Sequence, residues 1–367
     1  MTDGQEAGES DAAAARWRPV GGDRPVRVGL VGLGAMGRNH LRLLAARPDV
    51  DLALVADPIP DALAAALATA PGARGVTDPL GALDADATRS ALALDALVIA
   101  SPTTTHLPLA LAAIERGIAV LVEKPLAATP VEADAIVAAA AVRGVPVAVG
   151  HVERFNPAVL ELGRLLREGW LSTVYAITSR RAGPFPARIR DVGVTIDLAT
   201  HDVDILSFVA GERPSRLSAE IAQRVHQDHE DLLFGLLSFP SGTVAMLDVD
   251  WLTPAKRRTL TVVGEEGMFE LDYLTQRLTF TRSTDTTNPR LISGYAPTFE
   301  GESIDLPVAS GEPLAAELDA FVDVVRNGGR PVVDAEDGRW AVVLADALLR
   351  AAHERRTIEL PEPVAAR

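Results

Sequence analysis

Arg27 to Val31 reads as a short apolar strand that runs without a break into Gly32-Leu33-Gly34-Ala35-Met36-Gly37, and then into a helical pattern from Asn39 to Ala46. No other feature limits the fold so closely. The first glycine permits a tight turn, the second lets backbone amides approach a pyrophosphate, and the third allows close helix packing, with the helix N-terminus facing the phosphates. The turn from Gly32 to Gly37, with Ala35 and Met36 inside it, is therefore the expected phosphate cradle. A second apolar strand, Asp51 to Ala56, ends in Asp57, 20 residues after Gly37. An acidic side chain at that distance can hold the adenosine ribose hydroxyls and repels a 2′-phosphate, so the pattern favours NAD over NADP. The competing explanation is a βαβ unit with glycine-rich packing and no ligand.

From Val26 to Gly150 apolar strands near 96–100, 118–122 and 145–149 alternate with helical segments near 107–116 and 130–143. That alternation predicts a parallel, doubly wound sheet whose ligand lies outside the carboxyl ends of its strands. From about Leu171 strands follow one another without helices, and in Thr243 to Trp251 apolar and other residues alternate with period two. The expected fold class is α/β: a dinucleotide-binding domain over 25–150, then an α+β domain over 151–360 with a large open antiparallel sheet, serving substrate binding and oligomerisation. Residues 1–24 lack an apolar core of signal-peptide type and read as a disordered tail whose only notable feature is Trp17.

The net charge of −15 argues against a nucleic-acid or anionic-membrane partner, so an anionic substrate would have to be met by a local basic cluster. Cysteine is absent, which removes disulfides and thiolate metal sites and fits a reducing cytoplasm. No apolar run approaches the ~20 residues needed to span a bilayer.

Asp197 and His201 lie four apart in a helical stretch, a spacing that puts a carboxylate and an imidazole on one α-helical face for proton transfer from a substrate hydroxyl. Glu123-Lys124-Pro125 follows the strand 118–122, so Lys124 emerges where a nicotinamide would lie, and the proline restricts its backbone to an extended form. Arg180, Arg181, Arg188 and Arg190 crowd into eleven residues of an acidic chain. Guanidinium groups bind diphosphate oxygens bidentately, although a solvated, carboxylate-paired loop or a subunit contact would use the same residues. Arg154 and Asn156 sit at the hinge between the domains, where polar groups can hold sugar hydroxyls. The cluster His226-Gln227-Asp228-His229-Glu230 suits a solvated turn better than a metal site, and no metal is expected.

Taken in order, the glycine turn, Asp57, Ser101-Pro102-Thr103 with His106, Glu123-Lys124-Pro125 and Asp197 with His201 resemble the glucose-fructose oxidoreductase and inositol dehydrogenase family, over roughly Val26 to Leu360. The resemblance implies a Rossmann domain, a tightly held nicotinamide cofactor and oxidation or reduction of a sugar or polyol. It places Gly32, Gly34 and Gly37 at the pyrophosphate, Asp57 at the ribose, and Ser101, Thr103 and His106 at the nicotinamide half. Glu123 and Lys124 then lie at the junction with substrate, and Lys124, Asp197 and His201 form the catalytic set. GHVERFNPAV (150–159) and GPFPARIRDVGVTIDLATHD (183–202) further resemble the subgroup of UDP-N-acetylglucosamine 3-dehydrogenases. That likeness implies oxidation at C3 of a UDP-N-acetylhexosamine to a 3-keto nucleotide sugar by NAD, with either His201 or Lys124 as base. An inositol or simple sugar dehydrogenase, a NAD-dependent glycosidase and a cofactor-bound regulator without activity are the rivals. A homodimer or homotetramer built through the open sheet is expected.

Overall fold

The protein is described by a computed structural model over residues 17–85, 93–186, 192–283 and 301–361. Its first sheet contains β1 (Val26–Val31), β2 (Val50–Ala56), β3 (Arg74–Val76), β4 (Ala96–Ile99), β5 (Ala119–Glu123) and β6 (Val147–Gly150), all parallel, in the order β3-β2-β1-β4-β5-β6. The inner strands are largely apolar because both faces of the sheet are covered, and β4 and β5 are buried at every residue. One face packs α1 (Ala35–Ala45) and α2 (Pro60–Thr69); the other packs α3 (Pro79–Ala85), α4 (His106–Glu115) and α5 (Pro130–Arg143). The order of strands reverses between β1 and β4, which opens a crevice at their carboxyl ends. The ends of α5 follow from its sequence. Thr129 accepts a hydrogen bond from the Glu132 amide, Pro130 occupies the first turn, and Gly144 closes the helix at φ 63°.

The chain then crosses through the 3₁₀ turn 152–155 and α6 (Pro157–Arg167) to a nine-stranded sheet. Its strands are β7 (Val174–Pro184), β8 (Arg216–Ala222), β9 (Leu232–Ser238), β10 (Val244–Asp250), β11 (Leu252–Gly264), β12 (Gly267–Asp272), β13 (Arg277–Arg282), β14 (Ser303–Leu306) and β15 (Ile358–Glu359). The order is β14-β13-β12-β11-β7-β10-β9-β8-β15. The sheet is large and open as expected, but mixed rather than wholly antiparallel, because β7 and β10 run parallel at its centre. That pairing joins strands separated by α7 (Thr200–Ala210) and two further strands, so nothing local in either strand announces it. Ala245, Leu247, Val249, Leu260 and Val262 bury one face against α6, α7 and α9 (Ala335–Glu354), while Phe234, Leu236, Val244 and Met246 lie exposed on the other.

Two features depart from a simple division at residue 150. The helix α8 (Pro313–Asn327) returns to the first sheet, where Leu318, Phe321, Val322 and Val325 join the core formed by α1 and α2. The helix α9 packs Val342 into the core beside α4 and α5, and Trp340 and Leu344 into the core of the second sheet. Residues 17–24, read from the sequence as part of a tail, are seated on the fold. Trp17 packs against the first domain, and the amides of Val20 and Gly21 donate to the carbonyls of Val325 and Arg326 at the end of α8. Among the described residues no helix is long and apolar enough to cross a membrane.

Candidate active site

The glycine turn is held by backbone packing. Gly32 has φ +90°, and a methyl group there would lie 2.5 Å from Ala100 and Ser101 backbone atoms; one on Gly37 would lie 1.8 Å from the Gly32 carbonyl oxygen. Gly34 differs, since a methyl there would meet no protein atom within 4 Å. Gly34, Ala35 and Met36 are exposed at the start of α1, and no side chain caps that helix. An uncapped helix N-terminus with open space over its glycine is the environment a pyrophosphate requires. Asp57, buried at the end of β2, accepts hydrogen bonds from the Leu33 amide (2.7 Å) and the Ile59 amide (2.9 Å), which fixes its carboxylate against the same turn. These residues fit NAD.

At the carboxyl end of β5, Lys124 Nζ donates to the carbonyl oxygen of Asp197 at 2.6 Å and lies 3.4 Å from its Oδ1. The peptide bond from Lys124 to Pro125 is cis. Asp197 lies in a π-helical turn, Thr195–Ala199, that leads into α7 and His201. Such a turn is closed five residues apart and is wider than an α-turn, so a four-residue spacing no longer stacks the two side chains. The carboxylate expected to orient His201 engages Lys124 instead, and His201 Nδ1 is enclosed with no hydrogen-bond partner among the described residues. Burial first, then the charges of Lys124, Arg181 and Arg258, holds His201 well below the ordinary histidine range, which keeps its ring neutral and able to accept a proton. The turn at 226–230, read from the sequence as solvated, supports this helix. Glu230 accepts from the Thr195 amide at 3.1 Å, and His226 Nδ1 accepts from the amides of Asp228 and His229.

The remaining expected cofactor residues divide into lining and support. Ser101 Oγ and Thr105 Oγ1 are 2.6 Å apart beside Thr103, which is part-exposed in a 3₁₀ turn after β4. His106 is buried with its ring nitrogens 2.9 Å from the carbonyl oxygens of Pro125 and Ser101, so it joins these two loops rather than offering a nitrogen to a ligand. Glu123 is buried, with Oε1 2.7 Å from His40 Nε2 on α1 and Oε2 3.3 Å from the Lys124 amide. Beside this pair lies Glu317 of α8, buried, with neither carboxylate oxygen hydrogen-bonded.

Of the four arginines, Arg180 and Arg181 are described, and both are paired with carboxylates. Arg180 and Arg181 are strand residues of β7, and their side chains leave opposite faces of the sheet. Arg180 pairs across strands with Asp248 at 3.0 Å on the open face, away from His201. Arg181 is fully buried, donating to Asp202 at 2.8 Å and to Glu153 at 3.0 Å; burial would lower its pKa, but the two carboxylates outweigh burial and keep it charged. Arg188 and Arg190 lie outside the described residues. Arg154 makes a bidentate contact with Asp204 on α7, both bonds 2.7 Å, and covers Phe208, so it ties the hinge to the helix that bears His201. Asn156 caps α6, accepting from the Ala158 amide and donating to the Tyr273 carbonyl. Both hinge residues are thus engaged within the protein. Two residues enter the site unannounced. His151, buried at the end of β6, lies 4.0 Å from Asp204, and the GHVERF segment was its only signal. Arg258 on β11 stands in register with Arg181, a partnership that only the β7–β11 pairing reveals.

Comparison with known proteins agrees with this geometry. Residues 26–151 match the oxidoreductase family with an NAD-binding Rossmann fold, and residues 159–270 match the GFO/IDH/MocA C-terminal domain. The chain is 30% identical to UDP-N-acetylglucosamine 3-dehydrogenase of Acidithiobacillus ferrooxidans over 88% of its own length and 95% of that protein. A solved structure of that dehydrogenase superimposes with a TM-score of 0.76 at 25% identity, covering 89% of this chain and 98% of the other. Inositol 2-dehydrogenase of Rhizobium meliloti is 26% identical over 91% of this chain and 99% of its own.

Proposed function

The chain belongs to the GFO/IDH/MocA family of NAD-binding oxidoreductases acting on sugar and polyol hydroxyls, and from that premise we propose that it oxidises the C3 hydroxyl of a UDP-N-acetylhexosamine to a 3-keto nucleotide sugar. The observation that carries the chemistry is the convergence of Lys124 and Asp197 near a neutral His201 at the carboxyl ends of the parallel strands. NAD, when bound, supplies the acceptor for the hydride leaving the substrate carbon. His201 accepts the hydroxyl proton, and Lys124, steadied by Asp197, donates a hydrogen bond to the same oxygen as negative charge develops. Asp57 binds the ribose hydroxyls and the Gly32 to Gly37 turn the pyrophosphate. The choice of a nucleotide sugar is supported by the full-length similarity to UDP-N-acetylglucosamine 3-dehydrogenase.

A second reading, oxidation of a free polyol, is favoured by the comparable full-length similarity to inositol 2-dehydrogenase and uses the same three residues. The test is to incubate the purified chain with NAD and a panel of UDP-sugars and free polyols, following reduced cofactor by absorbance. Turnover of UDP-N-acetylglucosamine well above that of myo-inositol is expected. Preference for the free polyol would overturn the nucleotide-sugar reading.

A further inference from the structure

Arg258 is a half-buried cation whose ion pair among the described residues is long and shared. Its Nη1 lies 3.8 Å from Glu153 Oε1, but that oxygen is held at 3.0 Å by Arg181, and the Arg258 side chain retains 33% of its exposure against 2% for Arg181. A partly desolvated charge costs free energy unless it is paired, so a guanidinium left in this state has capacity for an anion. Burial and the Arg181 charge push its pKa down, outweighing the carboxylates of Glu153, Asp202 and Asp197. Lys256 lies two residues along β11, its stem beside Gly183, exposed and without an ion pair among the described residues. The β7–β11 ladder shifts register just before Arg257, but Gly183 and Arg181 alternate on β7 and so share a face, with Lys256 beside the first and Arg258 opposite the second. Arg258 and Lys256 thus form a short cationic row running outward from the layer that holds Arg181 and Asp202 beneath His201.

We propose that Arg258 and Lys256 bind the phosphate groups of the substrate, so that β11 distinguishes a nucleotide diphosphate sugar from a neutral polyol. This rests on the reaction proposed above but is tested apart from it. UDP alone serves as probe, titrated calorimetrically into the full chain loaded with NAD. Arg258→Gln and Lys256→Gln should each weaken UDP at least tenfold, NAD affinity should stay unchanged, and added salt should weaken UDP binding to the unsubstituted protein. Lys256 is exposed, so its variant reports on binding even if Arg258→Gln fails to fold. UDP affinity unaltered by Lys256→Gln and any folded Arg258 variant, or no UDP binding by the unsubstituted chain, overturns the proposal. If UDP binds through both residues while UDP-N-acetylglucosamine is not oxidised, the anion site stands and the assigned reaction falls.

Discussion

Lys124 and His201 face the same reacting oxygen in the proposed chemistry, but they are prepared for it differently. Lys124 is held by Asp197, whereas His201 is kept neutral by burial and neighbouring cations. Lys124→Ala and His201→Asn should each lower turnover about a hundredfold or more with NAD binding retained, since positioned proton transfer contributes ~10²–10⁴ in rate. A group whose pKa is depressed stays deprotonated to lower pH. If His201 is the base, the acid limb of kcat/KM should therefore fall below the ordinary histidine value of 6.5; a limb above it would assign the proton to another group. Asp57 makes a separate prediction. Asp57→Ser removes both the charge that repels a 2′-phosphate and a tie to the Leu33 amide, so NAD should bind more weakly and the gap to NADP should narrow in a fluorescence titration.

Among the elements, α8 brings a carboxyl group into the first domain that no local pattern explains. Glu317 occupies a buried position of an otherwise apolar face, beside the Glu123–His40 pair; burial first, and the Glu123 charge second, raises its pKa well above the ordinary glutamate range. A carboxyl with a raised folded pKa stabilises the fold below its unfolded value, and that contribution is lost as pH rises through the folded value. Glu317→Gln should accordingly melt higher than the unsubstituted chain at neutral pH, with the difference shrinking toward pH ~4.5. A constant difference across that range would mean the group is not buried as a neutral acid. The same helix shows what a sequence conveys. Leu314, Leu318, Phe321, Val322 and Val325 mark a helix with one apolar face, but not which sheet that face meets. The glycine turn was legible because steric limits on Gly32 and Gly37 arise within one βα unit. Arg181 was not, because a strand arginine becomes a core residue only when Asp202 of another element arrives beside it. The Asp197 spacing misled for a related reason: its π-turn reflects tertiary anchoring, including Glu230, rather than helical propensity.

At the scale of the whole molecule, the open face of the second sheet presents a cluster of exposed apolar side chains. Phe234, Leu236, Val244 and Met246 retain 39–48% exposure, and Leu236 lies directly opposite Met246 across β9 and β10. Clustered side chains of this kind are costly in water, and two copies packed face to face would cover them. Light scattering at micromolar concentration should give a dimer or tetramer, and Met246→Glu should shift it toward monomer; a monomer from the unsubstituted chain would refute this. The double seating of α9 constrains motion within each copy. A helix buried in two cores at once acts as a shared girder, so any clamshell separation of the sheets would have to strip Val342 from one side or Leu344 from the other. The working cleft is thus built in advance, ligands must pass through its rim rather than through a swinging jaw, and the radius of gyration in solution should stay constant when cofactor and substrate bind.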